Sequence, residues 1–166
     1  SASSMRLFST NPILFKVKYI NHDRFDTAMN ASGVLGTAFH KAMEVYYGGS
    51  DTLVVTNESE AIEYGMKAGM ELLEAYNDGF INYSKTIENK QKLYDLFTYC
   101  FQSYIKEMPY ENKGMLAVED KILEAIDVDW RGQKLTLPVK LKGYLDRVFR
   151  GPDEKIRIKD YKTCYA

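Results

Sequence analysis

Over its first two-thirds the chain carries apolar residues at the spacing of helix faces; after that they come in short alternating runs. Leu35, Phe39, Ala42, Met43 and Tyr46 repeat at helical spacing and predict a helix over residues 33–47, ended by Gly48-Gly49. Ile62, Met66, Met70, Leu73 and Tyr76 form a second such face, in a stretch from Asn57 or Ser59 to about residue 83. Asn57, with Glu60 three positions on, has the form of a capping box. A third helix is expected over roughly residues 85–107 from Leu93, Leu96, Phe97, Cys100, Phe101, Tyr104 and Ile105, closed by Met108-Pro109. Upstream, Ser3 or Ser4 can cap a short helix with Met5, Leu7 and Phe8. Asn11-Pro12 breaks it, and Ile13, Leu14, Val17 and Ile20, with Phe15 and Tyr19 beside them, begin another. Residues 21–32 read as a polar loop.

From Met115 onward, strands are expected at about residues 115–126, 134–150 and 155–163. Trp130-Arg131-Gly132-Gln133 and Gly151-Pro152-Asp153-Glu154 supply the turns. The sum is an α/β fold, α+β by content: N-terminal helices packed on a mixed sheet with an antiparallel β-meander. Residues 1–110 are mainly helical and 111–166 form the meander, with no linker or repeat between them. The whole therefore reads as one domain.

The meander concentrates the candidate chemistry. If the Gly-Pro turn pairs Arg150 with Ile156, then Val148 faces Ile158, Asp146 faces Asp160, and Lys162 sits beside Tyr144. A slip of one residue would move Asp146 to the opposite face. In this register Ile156, Ile158 and Val148 are expected core residues on the same face as the carboxylates. Opposed side chains on such a face lie ~5 Å apart, where like charges repel. One carboxyl would then titrate high unless a cation neutralises the pair. Oxygen ligands of this kind suit Mg²⁺ or Mn²⁺. Lys162 beside them can orient an attacking water, a workable arrangement for phosphodiester hydrolysis. Cross-strand salt bridging on a solvated hairpin face explains the same spacing, and spacing alone does not choose between the two.

Composition narrows the partners. The formal net charge of −1 gives no support to a general electrostatic grip on duplex DNA, although basic residues can still cluster locally. Cys100 and Cys164 lie far apart, and His22 and His40 are the two histidines, which argues against a zinc cluster and for free thiols in a reducing compartment. No apolar run approaches the ~20 residues of a membrane span, so a cytoplasmic protein without a membrane partner is expected. Most of the 13 tyrosines fall at helical apolar positions, which suggests core or rim packing before base stacking.

Five segments, in order, resemble one family. GYLDRVF (143–149) and IRIKDYKT (156–163) resemble the G-x-x-D-R and DYKT elements of RecB-like PD-(D/E)XK nucleases. GTAFHKAME (36–44) resembles the G-x-x-x-H helix of that branch, and LAVEDKI (116–122) its first strand. SASSMRLFSTNPILFKVKY (1–19) is similar to its leading segment. AddB-type and CRISPR-associated RecB-like nucleases share the pattern. The resemblance implies a restriction-endonuclease-like core and a metal-dependent DNA nuclease, an exonuclease by branch, serving recombination, repair, or phage and mobile-element DNA processing. Asp146 and Asp160 would hold the metal, with the backbone carbonyl of Tyr161 as a further ligand. Lys162 would be the catalytic lysine, and His40 would reach the metal from its helix. Glu119 would orient a water or touch a second metal. Gly36, one turn before His40, could let backbone or substrate approach closely.

The chain departs from the family pattern twice. Iron–sulfur members have a cysteine where Asn11 stands, so no iron–sulfur cluster is expected. The family also continues beyond DYKT with a further helix and strand, so the C-terminal part of the domain is expected to be missing. The alternative function is a non-catalytic module of the same fold that binds nucleic acid or a helicase or recombination partner. A further alternative is a helical interaction protein with an incidental hairpin.

Overall fold

The structure, a computed structural model, describes residues 2–21, 28–48, 57–108, 110 and 114–162. His22, Gly49, Pro109, Thr163 and Cys164 lie outside the described residues. The chain divides into two compact units: residues 1–27 with 121–143, and residues 28–120 with 144–166. The elements in chain order are α1 (Ala2–Thr10), α2 (Pro12–Phe15), β1 (Met29–Asn30), α3 (Ala31–Tyr46), α4 (Glu58–Ala75), β2 (Ile81–Asn82), α5 (Lys90–Glu107), β3 (Met115–Trp130), β4 (Gln133–Arg150) and β5 (Ile156–Lys159). Strands β3, β4 and β5 form one sheet in that order, and β1 pairs in parallel with β2. The fold is mixed helix and antiparallel sheet, as the patterning predicts.

In the unit of residues 28–120 and 144–166, asparagine starts all three long helices. Asn30, Asn57 and Asn89 accept the backbone N–H of Gly33, Glu60 and Lys92 at 2.6, 3.0 and 2.8 Å. The Asn30 cap starts α3 at Ala31, inside the segment expected to be loop. Asn89 likewise starts α5 at Lys90, five residues later than the apolar pattern suggested. Helix α4 ends at Ala75 rather than near residue 83, because a short 3-10 turn (Asp78–Phe80) and β2 follow it. Gly48, at φ +77°, closes α3 as expected.

Helix α3 supplies the centre of this unit, with Val34, Ala38, Ala42, Met43 and Tyr46 fully buried. On α4 the deepest row is Ala61, Gly65, Gly69 and Leu73; of the expected face Leu73 is fully buried, and Ile62, Met66, Met70 and Tyr76 are only partly buried. The reason is steric. A Cβ on Gly65 would stand 2.9 Å from the Ala42 carbonyl oxygen, and one on Gly69 would stand 2.0 Å from the Phe97 ring. Two glycines four residues apart thus open a groove into which α3 and the α5 aromatics Phe97 and Phe101 settle.

In the unit of residues 1–27 and 121–143, helix α1 begins at Ala2, so Ser3 and Ser4 are helical rather than capping. Asn11 caps α2, which continues as a π-helical turn, Lys16–Ile20. Phe8 meets Phe15 edge-on and Phe15 meets Tyr19 at a tilt, each pair with ring centres 5.1 Å apart. Met5, Ile13 and Ile20 are exposed. Apolar spacing sets a helix here, but burial needs a facing surface that the described residues of this unit do not supply. Arg131 and Gly132, at φ +54° and +80°, make a two-residue turn between β3 and β4, tighter than the four residues expected. The Gly132 N–H donates to Asp129 Oδ1 at 2.9 Å.

Strands β4 and β5 pair antiparallel with Arg150 opposite Ile156 and Val148 opposite Ile158, the register proposed from the turn. Two expectations fail. Strand β5 stops at Lys159, so Asp160 and Lys162 lie beyond the ladder and not on a shared strand face. Ile156 and Ile158 are 62% and 61% exposed, although Val148 is buried. Strand β4 is central and has all of Asp146–Phe149 buried, whereas β5 is an edge strand.

Gly69→Ala adds a good helix former, worth up to ~1 kcal/mol on a free helix, yet it drives a methyl into Phe97. The clash wins, and urea denaturation should show a net loss of about 1–3 kcal/mol. Gly69→Ala paired with Phe97→Leu should recover part of it.

Candidate metal centre

Three segments of the unit of residues 28–120 and 144–166 bring an imidazole and two carboxylates together. Helix α3 buries Phe39 and carries His40 at the edge of that face, about one-third exposed. His40 Nδ1 lies 2.9 Å from Glu119 Oε1 and 3.5 Å from Asp146 Oδ1. Asp146 sits on the central strand and is 7% exposed. Its second oxygen, Oδ2, accepts the backbone N–H of Tyr161 at 2.5 Å. That bond falls just past the end of the β4–β5 ladder, so a side chain continues the tie that backbone pairing drops.

Tyr161 is itself an anchor. Its ring is buried, with edge-on contacts to Tyr104, His40 and Phe39 at centre distances of 5.6, 6.0 and 6.2 Å. The Tyr47 and Tyr104 hydroxyls meet at 2.9 Å beside it. Burial pushes the Tyr161 and Tyr47 phenols above their ordinary value, and Tyr46 to about 12.

Glu119 reaches the site through an unusual backbone. It has φ +50° inside β3, where left-handed geometry is rare for a residue with a Cβ. Alternation fails at the same point, because Val118 and Glu119 are both partly buried. A local distortion of this kind re-aims a side chain, as bulges near active sites do.

Asp160 and Lys162 form a separate exposed pair, with Lys162 Nζ 2.7 Å from the Asp160 carboxylate. Asp160 also feels Asp146 and His40, and Lys162 feels Asp146. The hydrogen bond from Lys162 holds the Asp160 carboxyl below its usual range, and Asp160 raises the Lys162 ammonium in return.

Of the residues expected from sequence, the structure thus gathers His40, Glu119 and Asp146, whose ligand atoms all lie within 4.8 Å of one another. Asp160 and Lys162 stand next to that group as a pair. Glu119, expected only to orient a water or touch a second metal, belongs to the group directly. One nitrogen and two carboxylate oxygens, with a like-charge pair to neutralise, fit a hard divalent cation such as Mg²⁺ or Mn²⁺. Cys100 packs at the edge of the helical core, away from this donor set.

A helix-borne imidazole and two strand carboxylates, on a helix-and-antiparallel-sheet fold, define a candidate divalent-metal centre of the kind that serves phosphodiester chemistry. The chain belongs to the PD-(D/E)XK nuclease superfamily, whose family profile matches residues 1–166. Comparison with curated proteins and with solved structures found no match. Membership gives a nuclease-type fold and a nucleic-acid substrate class. Among the described residues no helix is long and apolar enough to cross a membrane.

Two outcomes are expected. Lys162→Met should raise the Asp160 pKa, read from its carboxyl carbon shift. A depressed acid favours the folded state above the ordinary carboxylate pKa, and loses that contribution as pH falls through its own lower value. Lys162→Met should therefore remove a small part of the stability near neutral pH and none at strongly acid pH. In Glu119→Gly, relief of left-handed strain and the extra chain entropy of glycine oppose each other at ~1 kcal/mol each. Thermal stability should stay near native while Mn²⁺ affinity, measured by calorimetry, falls.

Proposed function

We propose that the protein is a Mg²⁺- or Mn²⁺-dependent deoxyribonuclease of the RecB-like branch, an exonuclease acting in DNA recombination, repair, or phage and mobile-element DNA processing. The observation that carries this reading is the convergence of His40, Glu119 and Asp146, with Asp160 and Lys162 alongside. A divalent cation bound there would supply Lewis acidity toward a phosphoryl oxygen and a lowered pKa for its bound water. His40, Glu119 and Asp146 would hold it, with Asp160 and the Tyr161 carbonyl as further ligands. The Tyr161 N–H orients Asp146 by taking one of its oxygens. Lys162 gives up its contact with Asp160 on substrate binding and turns its ammonium to the attacking water and the phosphate. Glu119 places that water. Gly36 leaves room for the nucleic-acid backbone next to His40. The reading takes the chain as one nuclease domain, working in the cytoplasm and able to serve a helicase or recombination partner.

With Mg²⁺, the protein should degrade linear DNA. Asp146→Asn and Lys162→Ala should each lower the rate at least ~100-fold, the scale for removing one electrostatic stabiliser. Cleavage that survives both changes would falsify the assignment. Mn²⁺ uptake without any cleavage would leave a nucleic-acid-binding module of the same fold.

A further inference from the structure

We infer that Arg147 is a positioning residue for the proposed metal centre: its guanidinium, set over the Tyr47 ring, fixes where β4 meets the end of α3, and so where Asp146 meets His40. The inference rests on the metal reading above. Arg147 is 2% exposed, and a guanidinium taken out of water needs a compensating field. Here it lies 3.8 Å from the Tyr47 ring centre and 4.6 Å from that of Phe149. Desolvated contacts of this kind are the strong cation–π cases. Tyr47 also caps the C-terminus of α3, the negative end of its dipole.

The consequence is geometric. Consecutive residues of β4 attach to the same helix, Asp146 through His40 and Arg147 through Tyr47. Those two helix positions are seven residues apart, about two turns. Attachment at two heights restrains sliding and rotation of the strand along α3 more tightly than the contacts of Asp146 and Tyr161 do without it. Ligand sets tolerate displacements of only about 0.5 Å. Lysine cannot take this role, because a compact ammonium does not stack as a planar guanidinium does.

The test is Mn²⁺ titration calorimetry on the whole chain, with circular dichroism to confirm folding. Arg147→Met and Arg147→Lys should both weaken Mn²⁺ binding, by ~10–100-fold, the scale for residues that orient metal ligands. Val148→Ala, on the same strand, lowers stability by core loss and should leave Mn²⁺ affinity at the wild-type value. If Arg147→Met does not fold, Arg147→Lys keeps the charge and carries the measurement. Folded Arg147 variants with native affinity would overturn the inference and leave the metal centre intact, as would an equal loss in Val148→Ala. Wild-type protein without Mn²⁺ affinity would instead remove the metal reading and this inference together.

Discussion

The buried carboxylate of Asp146 is the constraint around which the unit of residues 28–120 and 144–166 is organised. A carboxylate that deep needs a partner for each of its oxygens. One oxygen faces His40 from α3, and the other takes the Tyr161 N–H from the segment after β5. Satisfying one side chain therefore joins a helix, the central strand and the chain beyond the edge strand. Tyr161 completes the join by burying its ring among Phe39, Tyr104 and His40. The hydrophobic effect holds the segment down, and the hydrogen bond sets its register.

The site balances opposite demands. Glu119 and Asp146 place two carboxylates around one imidazole, which is unfavourable without a cation. Glu119 adds left-handed backbone geometry. Such costs persist only where the surrounding structure is firm. The firmness comes from the helical core, where the Gly65–Gly69 groove lets α3, α4 and α5 approach closely, and from Arg147 stacked on Tyr47. The Asp160–Lys162 pair is exposed by contrast, and its contribution to stability is correspondingly small. It is free to exchange partners when a phosphate arrives, as the proposed mechanism requires.

Much of this was legible in the residues. The apolar period marked α3 and α5, the asparagine of α4 was read as a cap, and the Gly-Pro turn set the β4–β5 register. Of the deepest row of α4, Leu73 was read from its hydropathy, whereas Gly65 and Gly69 were missed because glycines have none to announce them, although their spacing of four residues was a usable signal. Ile156 and Ile158 were read as core because hydrophobicity marks a tendency to be covered, not the presence of a cover.

The sequence by itself determined the core helices and the β4–β5 register, since these depend on local periodicity, capping and turn chemistry. Only the tertiary structure decided that Glu119 joins His40 and Asp146, and that Asp160 leaves the strand to pair with Lys162. It also decided that Arg147 is buried against Tyr47. Each of these rests on contacts between residues far apart in the chain or on one unusual φ angle, and neither leaves a periodic trace. The resemblance named the residues; packing set their distances.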